Sequence, residues 1–164
     1  MAASVFQRIE DLLASGPVAY KVMRHEPVYT SQDAARVRGT PLSSGAKALI
    51  CKGESDFVMI VLPADRKLAS GEVRRARGWR KMRFASEDEV FELTGLRPGS
   101  IPPFGSLFGL RTLCDRRLAD NATINFNAGD HSISVSMPYA DYVRVESPEM
   151  GDFTTETPSS ENAP

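Results

Sequence analysis

GLRPGSIPPFGSLFG, residues 95–109, is the stretch around which the rest of the chain is read. Glycines at 95, 99, 105 and 109 open backbone conformations closed to other residues, and prolines at 98, 102 and 103 fix φ and remove donors. A turn needs nothing more. This segment also carries Leu96, Ile101, Phe104, Leu107 and Phe108, so it is expected to fold back on a core and line something. Backbone N–H groups of Gly99, Ser100, Ile101, Phe104 and Gly105 could then converge on a carbonyl or phosphate oxygen. A rigid connection between a helix and a strand is the plainer alternative.

Upstream, residues 4–15 form an amphipathic helix with Ser4 and Gln7 at capping-box spacing, ended by Gly16-Pro17. Residues 18–25 alternate as a strand, and residues 30–38 make a short helix stopped by Gly39. Strands follow at 46–52 and 57–64; the second, FVMIVLPA, is continuously apolar and therefore central. Residues 70–77 read as a basic helix, residues 79–84 as a short strand, and Ser86 with Glu89 as the capping box of a helix running to about Thr94. Downstream, strands are expected at 110–114, 123–126 and 131–137, the last two joined by a hairpin turn at Asn127-Ala128-Gly129-Asp130. Residues 138–145 close the domain as a helix or a strand, and nothing beyond Pro148 is periodic. Helices mixed irregularly with hairpins indicate an α+β fold rather than a doubly wound sheet. The expected organisation is one domain over residues 1–147 and a disordered acidic tail over 148–164.

Composition excludes several classes. At 164 residues, with 41% hydrophobic and 25% charged residues, the chain has the make-up of one soluble globular domain. No run approaches the roughly 20 apolar residues of a membrane span, so no membrane partner is expected. Cys51 and Cys114 lie in apolar strands without C-x-x-C spacing and read as buried thiols of a reducing, cytoplasmic compartment. The net charge of −1 conceals an asymmetry: residues 66–83 hold eight Lys or Arg against Glu72 alone, whereas residues 146–164 hold five acids and no cation. The first segment is a candidate polyanion surface.

Lys47 stands out, an ammonium inside the apolar strand GAKALICKG. It snorkels from an edge strand, pairs with an acid or serves a ligand, because a buried unpaired ammonium is costly. His131, just after the glycine turn, reads as structural or functional, and His25 as structural. Asp115 in LCDRRL pairs with Arg116 or Arg117, or caps the next turn. Ser100 and Ser106 are not in a nucleophile elbow, the cysteines and histidines lack metal-ligand spacing, and no phosphate-loop or dinucleotide motif occurs, so neither metal nor cofactor is expected.

Three segments, GAKALI (45–50), PGSIPPFG (98–105) and CDRRLADNATINFNAGDHSISVSM (114–137), occur in the order found in the YbaK/prolyl-tRNA-synthetase-associated domain family, which the chain resembles over roughly residues 5–145. The resemblance implies a curved mixed, largely antiparallel sheet flanked by helices. It also implies a small pocket that hydrolyses the ester bond of mischarged aminoacyl-tRNA in trans, with a synthetase as a further partner. Carried over by position, Lys47, Gly99 and His131 are the catalytic candidates. Ser100, Ile101, Pro103, Phe104 and Gly105 of the G-x-x-x-P loop, with Gly129 and Asp115, are the candidates for substrate binding. Arg74, Arg75, Arg77, Arg80 and Lys81 are the candidates for tRNA phosphates. The expected substrate is a small amino acid on tRNA-Pro or another tRNA. A non-catalytic tRNA- or small-ligand-binding module of the same fold is the alternative. Departures from the family in residues 23–38 and 57–64 fall in the segments that shape the pocket.

Overall fold

A computed structural model describes residues 3–158. In chain order the elements are α1 (Val5–Ser15), β1 (Lys21–Arg24), α2 (Ser31–Arg38), β2 (Ala46–Lys52), β3 (Phe57–Pro63), β4 (Arg66–Leu68), α3 (Ser70–Arg77), β5 (Arg83–Phe84) and α4 (Glu87–Thr94). After the glycine- and proline-rich loop come β6 (Arg111–Asp115), β7 (Thr123–Asn127), β8 (Ile133–Pro138), α5 (Tyr139–Glu146), β9 (Glu149–Gly151) and β10 (Thr154–Pro158). The fold is α+β, as expected, with helices packed around one mixed sheet and smaller antiparallel ones.

The main sheet runs β5-β2-β3-β6-β9. β2 is antiparallel to both β3 and β5, whereas β3–β6 and β6–β9 are parallel. A second, antiparallel sheet runs β1-β8-β7, and a parallel bridge between Gly45 and Asn125 links it to the start of β2. That bridge wraps the two sheets around one core. β3 is central, and its apolar run has a cause: it has no solvent face. Met59 and Val61 enter a core with Ile9, Leu13, Phe104, Phe126 and Tyr142, while Val58, Ile60 and Leu62 enter a second core with Cys51, Val73, Leu113 and Phe153. Both thiols are buried and free, and burial pushes each up to about 12, so they are neutral packing groups.

Local signals held unevenly. Ser86 and Glu89 form the complete capping box of α4. Ser4 caps α1 through the Gln7 N–H, but the Gln7 side chain donates to Asp11 instead of returning to the cap. The strand expected at 79–84 shrinks to Arg83–Phe84, because the Trp79 ring packs against Gly53 rather than extending the sheet. Residues 138–145, open between helix and strand, are helical.

The tail is where the structure departs from expectation. Residues 149–151 and 154–158 are strands, pairing with β6 and β4 respectively. Residues 159–164 lie outside the described residues. Phe153 is buried in the second core, and the carboxylate of Asp115, itself fully buried, holds the segment in place. Asp115 accepts from the N–H of Phe153 at 2.8 Å, the hydroxyl of Thr154 at 3.0 Å and the N–H of Arg117 at 2.9 Å, with the Arg117 guanidinium 3.8 Å away. Sequence periodicity could not reveal this, because the anchor is one phenylalanine and a distant acid. Asp115 is thus a structural clasp, corrected from its place among the substrate-binding candidates.

Truncation after Pro148 is therefore expected to lower the melting temperature clearly. Phe153→Ala alone should cost about 3–5 kcal/mol, and Asp115→Ala about 2–4 kcal/mol, since it strands buried donors. Denaturant melts of the three variants check this; midpoints equal to wild type would show that the segment does not support the core.

Candidate active site

A cavity of about 850 Å³ opens where α2, β2 and the loop of residues 95–109 meet. Lys47 lines it from β2, Gly99 and Ile101 from the loop, and Arg38 from the last turn of α2. Ala34, Ala46 and Ala48 also contribute to its lining, the last two from the face of β2 opposite Lys47.

Lys47 is half-buried, and desolvation holds its ammonium below the ordinary lysine value. By strand alternation it shares a face of β2 with Leu49 and Cys51. Its cross-strand neighbour is Leu62 of β3. Gly99 adopts φ +93°, a conformation L side chains rarely take, and a Cβ there would lie 3.2 Å from Cε1 of His131. The histidine therefore stands directly behind the loop. Its Nδ1 lies 3.1 Å from the carbonyl oxygen of Val28, which can only accept. The proton thus sits on Nδ1, and in the neutral ring Nε2 is the acceptor.

Of the candidate binding residues, the structure brings only Ile101 to the cavity beside Gly99. Ser100 is buried and spends its N–H and hydroxyl on the carbonyl of Arg97, while its own carbonyl accepts from Gly129. Pro103 accepts from the Tyr142 hydroxyl, and Phe104 packs edge-on against Phe126 and Tyr142. Gly105 donates to Thr112 Oγ1 so closely that a Cβ would collide with it. Glu146, at the end of α5, accepts from Ser106 and Thr112 and clamps that half of the loop. Ser100, Pro103, Phe104, Gly105 and Gly129 thus shape the loop from behind. The expected convergence of five amides is corrected to the Gly99–Ile101 end alone.

Arg38 is the residue that sequence reasoning missed. Its guanidinium donates to Ser134 Oγ and Asn127 Oδ1, each at 2.8 Å, and both partners are neutral. Burial pulls it down to about 10, still charged at neutral pH. Asn127 in turn donates to the Gly99 carbonyl at 2.6 Å, so Arg38 holds the Gly99 loop through one amide. In sequence it is a helix-ending arginine before glycine; only the packing of α2 over β7 and β8 gives it a site role. Ser134 donates onward to Nε2 of His25, whose ring is structural.

The basic segment lines a neighbouring cleft of about 760 Å³. Arg74, Arg80 and Lys81 line it with Lys52 and Arg83. Arg75 instead pairs with Glu72, and Arg77 lies over the Trp79 ring, 3.8 Å from Glu149. Ser70 borders both hollows, so the cleft adjoins the cavity.

The family model of the aminoacyl-tRNA editing domain matches residues 25–145. The chain belongs to the aminoacyl-tRNA editing domain family. The editing domain is 36% identical over 152 residues to the multifunctional Ser/Thr-tRNA deacylase ProXp-y of Escherichia coli strain K12, covering 90% of this chain and 91% of that protein. It is 32% identical over 87 residues to a proline–tRNA ligase of Trichlorobacter lovleyi, covering 52% of this chain and 15% of the ligase. A crystal structure described as a candidate trans-editing enzyme for prolyl-tRNA synthetase superposes with a TM-score of 0.83 at 21% identity, covering 94% of this chain and 99% of that one. Among the described residues no helix is long and apolar enough to cross a membrane.

The placement of Gly99 against His131 yields a paired test. Gly99→Ala and Gly39→Ala both force a side chain into a left-handed conformation, at about 1–2 kcal/mol each. Space around Gly39 is open, whereas at Gly99 the new methyl meets the imidazole. Both variants should lose stability, Gly99→Ala the more, and only Gly99→Ala should shift the His131 ring signals in NMR spectra. Unshifted signals would separate the loop from the histidine.

Proposed function

We propose that this editing domain hydrolyses the ester bond of tRNA mischarged with a small amino acid, with serine and threonine esters as its first substrates. The observation that carries the reading is the cavity itself, whose lining includes both Lys47, with its partly desolvated ammonium, and the Gly99 turn. An aminoacyl ester is already activated, so its hydrolysis needs positioning and charge stabilisation more than a strong nucleophile. A water attacks the ester carbonyl, and the carbonyl oxygen gains negative charge as the tetrahedral centre forms. Collapse breaks the bond to the ribose oxygen, which leaves with the proton the water gave up. The tRNA's own terminal hydroxyl orients that water.

Each residue then has a role. Lys47 stabilises the developing oxyanion, more strongly than in bulk water because it is partly desolvated. Gly99 and Ile101 offer backbone to the same centre. His131 acts through Gly99 and Arg38 through Asn127, so both are positioning residues. The fit of the amino-acid side chain to the cavity wall is the sieve by which editing would separate near-cognate substrates. Arg74, Arg80 and Lys81 hold acceptor-stem phosphates in the adjoining cleft. The partner this reading implies is a synthetase that releases the mischarged tRNA.

Lys47→Ala should lower the single-turnover deacylation rate at least tenfold, about 1.4 kcal/mol of transition-state stabilisation, in a protein that still melts cooperatively. Lys47→Arg should rescue only part of it, since a planar fork does not replace a compact ammonium. Wild-type turnover by a folded alanine variant would remove Lys47 from the mechanism.

Charge reversal of Arg74, Arg80 and Lys81 to Glu should weaken tRNA binding and flatten its salt dependence, while sparing hydrolysis of a minimal aminoacyl-adenosine. Equal loss on both substrates would contradict a phosphate role for the cleft.

A further inference from the structure

Tyr29 is 73% exposed, at the rim of the cavity near Gly99. A solitary exposed aromatic is ordinary on a protein surface. This one is held. Its ring lies against the imidazole of His131, with centroids 4.6 Å apart and planes tilted by 40°. The imidazole is fixed by its Nδ1–H on the Val28 carbonyl, and the Val28 N–H donates to the His131 carbonyl, also at 3.1 Å. Two bonds between Val28 and His131 therefore clasp the strips of chain from which both rings hang. Thr30 caps α2 immediately afterwards, fixing the chain direction on the other side of the tyrosine.

The result is an aromatic surface that is ordered in advance yet open to solvent, so little conformational freedom remains to be lost on binding. Its position argues against a role in selecting the amino acid, because so exposed a ring lies at the mouth of the cavity and not within it. A group that reaches the mouth while an ester sits beside Lys47 and Gly99 is the nucleoside to which that ester is attached. We propose that Tyr29, backed by His131, is the platform on which the terminal nucleobase of the acceptor end stacks. This rests on the deacylase reading above and adds to it the contact that holds the substrate's base. Stacking on an aromatic face is tolerant of base identity and needs no hydrogen bond from the phenol.

The test uses an uncharged acceptor-stem minihelix whose 3′-terminal base is 2-aminopurine, a fluorophore quenched on stacking, and a second minihelix abasic at that position. Wild type and Tyr29→Phe should quench the probe and bind it alike. Tyr29→Leu, at a position exposed enough to preserve the fold, should lose most of the quench and bind at least fivefold more weakly. Wild type should bind the abasic minihelix about as weakly, and Tyr29→Leu should bind it no more weakly still, because base and ring form one contact. Absence of quenching in wild type, full quenching by Tyr29→Leu, or losses that add would each overturn the platform. So would a quench that instead follows Phe84→Leu, the other exposed aromatic on the cavity. Because the probe carries no ester, the two claims separate. A protein that quenches through Tyr29 but hydrolyses no aminoacyl-tRNA keeps the platform and loses the deacylase, and the converse result reverses them.

Discussion

Burial of β3 on both faces is the constraint from which the rest of the architecture follows. A strand whose residues 58–62 are all withdrawn from water must be covered twice. One cover comes from α1, α5 and the loop residue Phe104; the other comes from α3 and the segment after α5. Each fully buried side chain of the Val, Ile or Leu type contributes about 1.5–3 kcal/mol, so neither cover is optional. The second explains why the chain returns after α5. Without β9, Phe153 and the Asp115 clasp, one face of the sheet would lie open beside β6.

The same construction sets the electrostatics of the site. The cavity lies at the N-terminal end of β2, where apolar strands run out and two cations, Lys47 and Arg38, project into partly dry surroundings. Both are held below their ordinary pKa values by desolvation. Placing such groups costs folding free energy, yet it provides fixed positive charge in the cavity, which the proposed mechanism uses at a developing oxyanion. Arg38 does so while hydrogen-bonded to neutral groups, and through Asn127 it also sets the backbone of Gly99. Charge and loop geometry are thereby coupled in one network.

The central strand was legible in FVMIVLPA, and α4 in its Ser86–Glu89 box, because both signals are local and survive packing. Lys47 was legible as an anomaly, a cation in an apolar strand. Gly99 and His131 came from family resemblance, and the structure sets the two side by side. Arg38 was not legible, since an arginine ending a helix has an ordinary explanation at its own position. Ser100 and Gly105 misled for the opposite reason: a loop rich in donors invites a ligand, but these two amides are consumed by Arg97 and Thr112. Asp115 and the strands after Pro148 depend on each other across some forty residues, a separation that no sequence window spans.

The most direct test of the account is wild-type single-turnover deacylation across a panel of aminoacyl-tRNAs graded by side-chain size. The account predicts hydrolysis well above the spontaneous rate for seryl, threonyl and similarly small esters, falling away for esters with larger side chains. Binding of these tRNAs without hydrolysis of any of them would contradict it and make the domain a binding module.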